Sequence, residues 1–208
     1  LEDADARNRF FKWDAEGLNF FYKALGGASL AYAKRFESMP SKETVRVLRK
    51  SISIFEDYLI AFLSDARCMT STELLERRLM KRKHYIYAAY LAVISSFPIL
   101  RGNIPSQDLI KAIVGKIAEI VGIKALDNVN DILHTREQAL RSLRTQLSAF
   151  TAPYFNLRER RDDVGRAENS TYQLAVFTNQ LVSRATERRG LAFRLYLEDF
   201  DRYVEGQT

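Results

Sequence analysis

Cysteine, proline and glycine are scarce in this sequence, and each scarcity excludes a class of protein. Of 208 residues, one is cysteine, four are proline and nine are glycine. The single Cys68 cannot form an intramolecular disulfide and rules out most cysteine metal sites, so a reducing compartment such as the cytoplasm is expected. The shortage of proline and glycine favours long helices over many short strands joined by turns.

Long apolar runs and the common catalytic signatures are also missing. The longest apolar run, 85–100, is broken by serines and Pro98 and falls short of the about 18 residues of a membrane span. The two histidines, His84 and His134, are far apart, and no zinc, serine-hydrolase, Rossmann or phosphate-loop motif is present. No signal-peptide pattern opens the sequence, and the start LEDADARNRF leads us to expect that residues precede Leu1.

Apolar, aromatic and basic residues are abundant. The hydrophobic fraction of 47% and the aromatic fraction of 12% are typical of a folded globular protein. The net charge of +6 and the pI of about 9.4 favour polyanionic partners, among them diphosphates, nucleic acid and anionic membrane surfaces. Acidic residues interleave with the basic ones and no helix-turn-helix stands out, which argues against nucleic acid.

Apolar residues recur with the helical period of 3.6 along most of the chain. The pattern predicts helices over 4–24, 29–39, 42–67, 70–96, 107–150, 172–187 and 191–204. A capping box, Thr70-x-x-Glu73, opens the helix from 70, and Gly115 and Gly122 are potential bend points. The polar segment 156–170 is expected to be a solvated helix or a mobile surface segment. No sustained β-alternation occurs, so we predict one all-α domain over 1–208, a bundle of six or seven helices.

One stretch, 124–138 (KALDNVNDILHTREQ), concentrates short side chains that can bind metal. On a continuous helix, residues four apart lie on one face, so Asp127 and Asp131 present two carboxylates there. His134 and Gln138 continue the same line. Because Mg²⁺ takes oxygen ligands from one or two carboxylates, waters and substrate phosphates, this face would be half of a magnesium site.

The same stretch resembles the metal motifs of class I terpene (isoprenoid) synthases. Asn130-Asp131-x-x-His134-x-x-x-Gln138 is similar to their N-D-x-x-S-x-x-x-E motif, with His134 replacing Ser and Gln138 replacing Glu. Asp127-Asn-x-x-Asp131 is also similar to their aspartate-rich motif. The resemblance implies an isoprenoid-synthase-like fold, Mg²⁺ as cofactor, and a lyase or transferase that acts on an allylic diphosphate.

The resemblance also implies residues elsewhere in the chain. If the second motif begins at Asn130, the first belongs on an earlier helix, where Glu56 and Asp57 are the best candidates. Glu56 lies at the edge of an apolar face and is expected to point inward, although an ion-pair network between Arg49 and Glu56 is the simpler explanation. Arg202-Tyr203 resembles the late R-Y pair of bacterial terpene synthases. The candidate diphosphate-binding residues are Lys83, Lys124, Arg202 and Tyr203.

The helical phase supports a second, non-catalytic interpretation. Between 123 and 150, the apolar residues gather on the face almost opposite to Asp127, Asp131, His134 and Gln138, which predicts that these four side chains face water. The stretch would then be a surface acid cluster of a helical interaction protein. Its partner would be a protein or an anionic membrane surface, and the amphipathic, aromatic segment 4–24 suits peripheral membrane association. The sequence leaves both hypotheses open and identifies no catalytic residue.

Overall fold

The computed structural model describes residues 42–81, 84–85, 88–89, 91–92, 106–186 and 190–207. The structure gives the bounds of six helices: α1 (Lys42–Phe62), α2 (Ser71–Glu76), α3 (Ser106–Leu133), α4 (Arg136–Thr151), α5 (Asp163–Thr186) and α6 (Gly190–Gln207). The described residues 84–85, 88–89 and 91–92 are also helical. No strand occurs in the described ranges, which confirms the all-α prediction. None of the helices in this part of the chain is long and apolar enough to span a bilayer. The predicted helices over 4–24 and 29–39 lie outside the described residues.

The described residues divide between two compact units, and the first unit falls within Leu1–Tyr58 and Arg82–Ile117. Its buried apolar residues recur three or four positions apart on α1 and on the first part of α3. They include Ile52, Phe55, Leu109, Ile113 and Ile117. These are positions that the helical period predicted, so the sequence identified the buried faces of both helices correctly.

The second unit falls within Leu59–Lys81 and Ala118–Thr208 and has a core formed by α3, α4, α5 and α6. Phe150 of α4 stacks on Phe200 of α6 with ring centroids 3.8 Å apart. Tyr196 Oη donates a hydrogen bond to the Phe150 carbonyl over 2.8 Å. Burial of a side chain of this size stabilises the fold by about 1.5–3 kcal/mol. The other buried members of the cluster are Leu126, Leu143, Ala149, Tyr172 and Ala175.

The predicted helix over 107–150 is wrong, because the structure has two helices there. α3 ends at Leu133 and α4 begins at Arg136. Thr135 is the N-cap of α4: its hydroxyl accepts from the Gln138 amide over 3.4 Å, and its own amide donates to Gln138 Oε1 over 2.8 Å. This reciprocal pair is a capping box, which satisfies amides that the first turn leaves unpaired. The T-x-x-Q sequence from Thr135 to Gln138 therefore begins a new helix within the range that was predicted as one helix.

Gly122 lies inside α3, which continues through it without a stop. A Cβ atom at Gly122 would lie 3.2 Å from Leu174 Cβ of α5, so the missing side chain allows the two helices to approach closely. Gln146 of α4 donates from Nε2 to the Gly122 carbonyl over 3.0 Å. Gly122 is thus a contact point between three helices of the second unit.

Two further predictions about the helices need correction. The capping box at Thr70 is confirmed, but the helix predicted over 70–96 is interrupted: α2 ends at Glu76 and Arg78 takes a positive φ of 61°. The described residues 84–85, 88–89 and 91–92 are helical, as predicted. The segment 156–170 is helical from Asp163, where α5 begins, but it is not solvated throughout, because Ala167 to Ser170 are buried. Asn169 and Ser170 bond to main-chain groups of neighbouring segments, whereas Glu168 lies against arginine and histidine side chains.

Candidate functional site

The two carboxylates at the centre of the predicted magnesium site have different surroundings. Asp127 is partly buried and forms an ion pair with Lys124, one turn earlier on α3. Asp131 is exposed, as the helical phase predicted. Lys124, a candidate diphosphate ligand, therefore neutralises a candidate metal ligand in this structure.

His134 is buried, so the prediction that it faces water is wrong. Its side chain is 1% exposed, with Nε2 3.3 Å from Glu168 Oε1 of α5. Its Nδ1 lies 2.9 Å from Asn130 Oδ1. Burial lowers the pKa of His134, the Glu168 carboxylate opposes that shift, and Arg160 adds to it. The ring departs from the predicted line because α3 ends one residue before it.

Gln138 is exposed, which the helical phase predicted, but its side chain serves α4 itself. Its Oε1 accepts from the Thr135 amide in the capping box described above. The Ile132 side chain, expected on the buried face, is 56% exposed. The buried and exposed faces predicted over 126–138 are therefore only partly correct, because α3 and α4 are separate helices.

The candidate partner carboxylates lie in the first unit. Glu56 is 1% exposed, which confirms that it points inward, whereas Asp57 is exposed. The two neighbouring side chains therefore differ in environment, and only Glu56 is part of a buried face. Lys83 lies outside the described residues.

Arg202 and Tyr203 are neighbours on α6 but differ in exposure, as Glu56 and Asp57 do on α1. Arg202 is exposed and lies 3.6 Å from Glu198 and 3.8 Å from Asp199, both on its own helix. Tyr203 packs against the core of the second unit. Burial raises the pKa of Tyr203 to about 12, and the nearby Asp127 carboxylate adds to the rise. Of this pair, Tyr203 packs against the core of the second unit, and Arg202 is exposed.

A buried carboxylate, in a segment that the sequence analysis expected at the surface, is the centre of the polar contacts in this unit. Glu168 of α5 has a side chain only 5% exposed. Its Oε2 lies 3.5 Å from an Arg160 nitrogen and 3.9 Å from an Arg158 nitrogen, while Oε1 faces His134. Because a buried charge is costly unless it is paired, these contacts explain how a glutamate is accommodated there.

The next residue, Asn169, joins two segments that are distant in sequence. Its Nδ2 donates to the Arg67 carbonyl and to the Arg158 carbonyl, each over 2.9 Å. Its Oδ1 accepts from the Arg158 amide over 3.2 Å. Ser170 adds a second link, since its hydroxyl accepts from the Met69 amide over 2.8 Å. Asn169 and Ser170 thus attach the start of α5 to the segment around Arg67 and, through Asn169, to the segment around Arg158. We call these hydrogen bonds the brace.

A sequence signal for this brace existed but was missed. Leu174 and Phe177 belong to the apolar stripe of the helix predicted over 172–187, and steps of three or four residues back from Leu174 reach Thr171 and Ala167, both buried. The stripe therefore extends to the start of α5. Polar residues beside such a stripe need partners when buried, which marks Asn169 as a structural residue.

The chemistry available to this cluster is ion pairing and hydrogen bonding. Within the described ranges, no group of three or more His, Cys, Asp or Glu side chains is placed to hold a metal ion. His134 and Gln138 are turned to other partners in this arrangement, so Asp127 and Asp131 are the carboxylates that remain from the predicted donor set. No family model, curated protein or solved structure matches this chain.

Proposed function

We propose that this chain is a non-catalytic helical interaction protein whose second unit binds a partner. The observation that carries this proposal is the use of the motif side chains within the chain itself. Gln138 closes the capping box of α4, and His134 joins the end of α3 to Glu168 of α5. A side chain engaged in this way stabilises the fold and leaves its polar atoms directed away from a ligand.

The surface of the second unit supports the same proposal. Tyr154 is 90% exposed in the segment between α4 and α5, and Leu191 of α6 is 62% exposed. Exposed aromatic and aliphatic side chains of this size become energetically important when a partner covers them. These positions lie at the surface of a unit whose interior is already filled by the α3–α6 core.

The test is the thermal stability of the full chain in Mg²⁺ plus inorganic diphosphate. A ligand present at 100 times its Kd stabilises a protein by about 2.7 kcal/mol, which is a shift in Tm of several degrees. We expect no shift that requires both components. The proposal is overturned by a shift that needs both Mg²⁺ and diphosphate and is lost in Asp127→Ala/Asp131→Ala but retained in Asp199→Ala/Asp201→Ala, which removes two exposed carboxylates from α6.

A second candidate function is a Mg²⁺-dependent, isoprenoid-synthase-like protein that acts on an allylic diphosphate. One observation favours it: Tyr203 of the R-Y pair lies close enough to Asp127 for the carboxylate to raise its pKa. In that function Asp127, Asp131 and Asn130 would hold the metal, and Arg202 would contact the diphosphate. The metal would supply charge neutralisation of the leaving diphosphate.

The substitution Gln138→Glu separates the two candidates further. Glutamate restores the last position of the synthase motif and also completes a capping box as well as glutamine does. We expect the free energy of unfolding to change by less than about 0.5 kcal/mol and no Mg²⁺-dependent rise in Tm to develop. A metal response in this variant that wild type lacks would favour the synthase.

A further inference from the structure

The segment between α4 and α5 is not helical and carries three arginines within four residues. Residues 152–162 connect the end of α4 to the start of α5, and every residue from Arg158 to Asp162 is exposed. This run contains the sequence R-E-R-R, with arginines at 158, 160 and 161. We call residues 152–162 the strap.

The main chain of the strap is attached on both sides of a short stretch. The amide and the carbonyl of Arg158 bond to the Asn169 side chain over 3.2 and 2.9 Å, as part of the brace. The Asp162 carbonyl accepts from the Arg166 amide over 2.9 Å. Between these two attachments, the main chain of 159–161 has no hydrogen-bond partner among the residues that the structure describes. Its amides and carbonyls are thus available to a protein that binds the strap.

The three arginine side chains of the strap differ in their contacts. Arg158 donates to Thr145 Oγ1 over 2.6 Å, and Arg160 donates to Asp162 Oδ2 over 2.7 Å. Within the described ranges, the Arg161 side chain has neither a hydrogen-bond partner nor an ion-pair partner. A guanidinium group binds a carboxylate through two parallel hydrogen bonds, so Arg161 is suited to an acidic pocket of another protein.

An exposed, non-helical segment with arginines at fixed positions has the form of an endoprotease substrate. Folded proteins are cleaved preferentially at exposed connections between elements. A bound peptide in extended conformation adds to its receptor as a strand, through main-chain hydrogen bonds, while side-chain pockets supply specificity. An arginine-specific endoprotease needs both the main-chain groups of 159–161 and the Arg161 guanidinium, and the strap offers both.

Other arginine pairs of the same chain provide an internal comparison. Arginines recur three residues apart at Arg46 and Arg49 in α1 and at Arg141 and Arg144 in α4. Both pairs lie inside helices, whose main-chain groups are already bonded to one another and cannot pair with a protease. The sequence R-x-R-R occurs once in the whole chain, at 158–161. Spacing and local structure therefore agree on the bond that follows Arg161.

Contacts of the core join the two parts of the chain that a cut after Arg161 would separate. Ser142 Oγ of α4 lies 2.8 Å from Tyr172 Oη of α5. Phe150 of α4 stacks on Phe200 of α6 with ring centroids 3.8 Å apart. Both contacts are buried and neither depends on the strap, so the second unit stays assembled when the strap is cut.

We infer that the Arg161–Asp162 peptide bond is the cleavage site of an endoprotease that recognises R-x-R-R, and that the two fragments stay associated. Hydrolysis breaks the C–N bond with one water molecule, which leaves a carboxylate on Arg161 and an ammonium group on Asp162. The ammonium lies at the start of α5, where the helix dipole disfavours positive charge. This inference goes beyond the proposed function and does not depend on it.

The experiment incubates the folded full chain with a subtilisin-type convertase that requires R-x-R-R, well below the melting temperature of every variant. Mass spectrometry identifies the cut, and size-exclusion chromatography reports whether the fragments stay together. The test variant is Arg161→Gln. The matched control is Arg144→Gln, which removes the same charge from an exposed position of α4. A third variant, Asn169→Ala, keeps all three arginines of the strap and removes the attachment of the Arg158 main chain.

We expect one cut in wild type, which gives fragments 1–161 and 162–208 that elute together. Arg161→Gln should lower the rate about thirtyfold or more, the effect of removing one partner of a buried charge pair, and Arg144→Gln should change it less than about twofold. Asn169→Ala should raise the rate about tenfold or more, because cleavage proceeds from molecules in which the strap is detached.

Four results would overturn the inference. They are the absence of a cut after Arg161 in wild type, an unchanged rate in Arg161→Gln, an unchanged rate in Asn169→Ala, and separate elution of the two fragments. None of them affects the proposed function, because that function is tested by the response to Mg²⁺ and diphosphate.

Discussion

Asn169 provides the sharpest test of how the second unit is held together. Its side chain is fully buried and makes three hydrogen bonds to main-chain groups of Arg67 and Arg158. A hydrogen bond of this kind contributes about 1 kcal/mol net, and a buried group left without a partner costs more. Asn169→Ala should therefore lower the free energy of unfolding by about 3 kcal/mol, with water access to the Arg158 groups limiting the loss.

The isosteric substitution Asn169→Asp tests the two donated bonds separately. Aspartate keeps an oxygen that accepts from the Arg158 amide but cannot donate to the two carbonyls, so it should lose about 2 kcal/mol or more. The assay is urea denaturation of the full chain, with hydrogen exchange of the Arg158 amide as a local measurement. Asn156→Ala, at an exposed asparagine of the same segment, is the control and should change stability by less than about 0.5 kcal/mol.

A loss in Asn169→Ala no greater than that in Asn156→Ala would refute the reasoning. So would normal protection of the Arg158 amide in the variant, because that amide would then not depend on the asparagine oxygen. Either result would mean that the brace between α5 and the two segments contributes little to stability.

Three other substitutions or conditions test local features. Gly165→Ala should lower the urea midpoint by an amount equivalent to about 1–3 kcal/mol, because the new Cβ would overlap the side chain of Arg160, whereas Gly206→Ala, which meets open space on α6, should be neutral or slightly stabilising. Arg78→Gly should raise stability by up to about 1 kcal/mol in the same assay, because glycine takes a φ of 61° without steric cost. A neighbouring guanidinium lowers the pKa of Asp65 from 3.8 to about 2, so its contribution is present above pH 4 and is lost as pH falls from 4 to 2; Asp65→Asn should flatten stability over that range.

Sequence periodicity predicted the buried faces of the longer helices because one face of each is nearly continuous in apolar residues. Phe55, Ile113 and Leu174 are buried where the 3.6 period places them. The capping box at Thr70 was also recognised. These features depend on local sequence alone, which is why no tertiary information was needed to find them.

The junction at His134 and Thr135 shows where that reasoning reached its limit. Apolar residues continue on both sides of the junction, so the helical period predicts one continuous helix across it. Only the short polar pattern from Thr135 to Gln138 indicates that a new helix begins. Burial of His134 and Glu168 depends on contacts between α3 and α5, which are far apart in sequence. The candidate metal face was inferred from a continuous helix, and two of its four side chains have other roles because the helix is interrupted.

The thermal stability of the full chain in Mg²⁺ with inorganic diphosphate is the measurement that separates a partner-binding protein from a synthase. If the side chains at 134 and 138 serve the fold and the chain acts by binding a partner, the Tm is the same with and without the two components together. A rise in Tm that requires both, and that disappears in Asp127→Ala/Asp131→Ala, would contradict it.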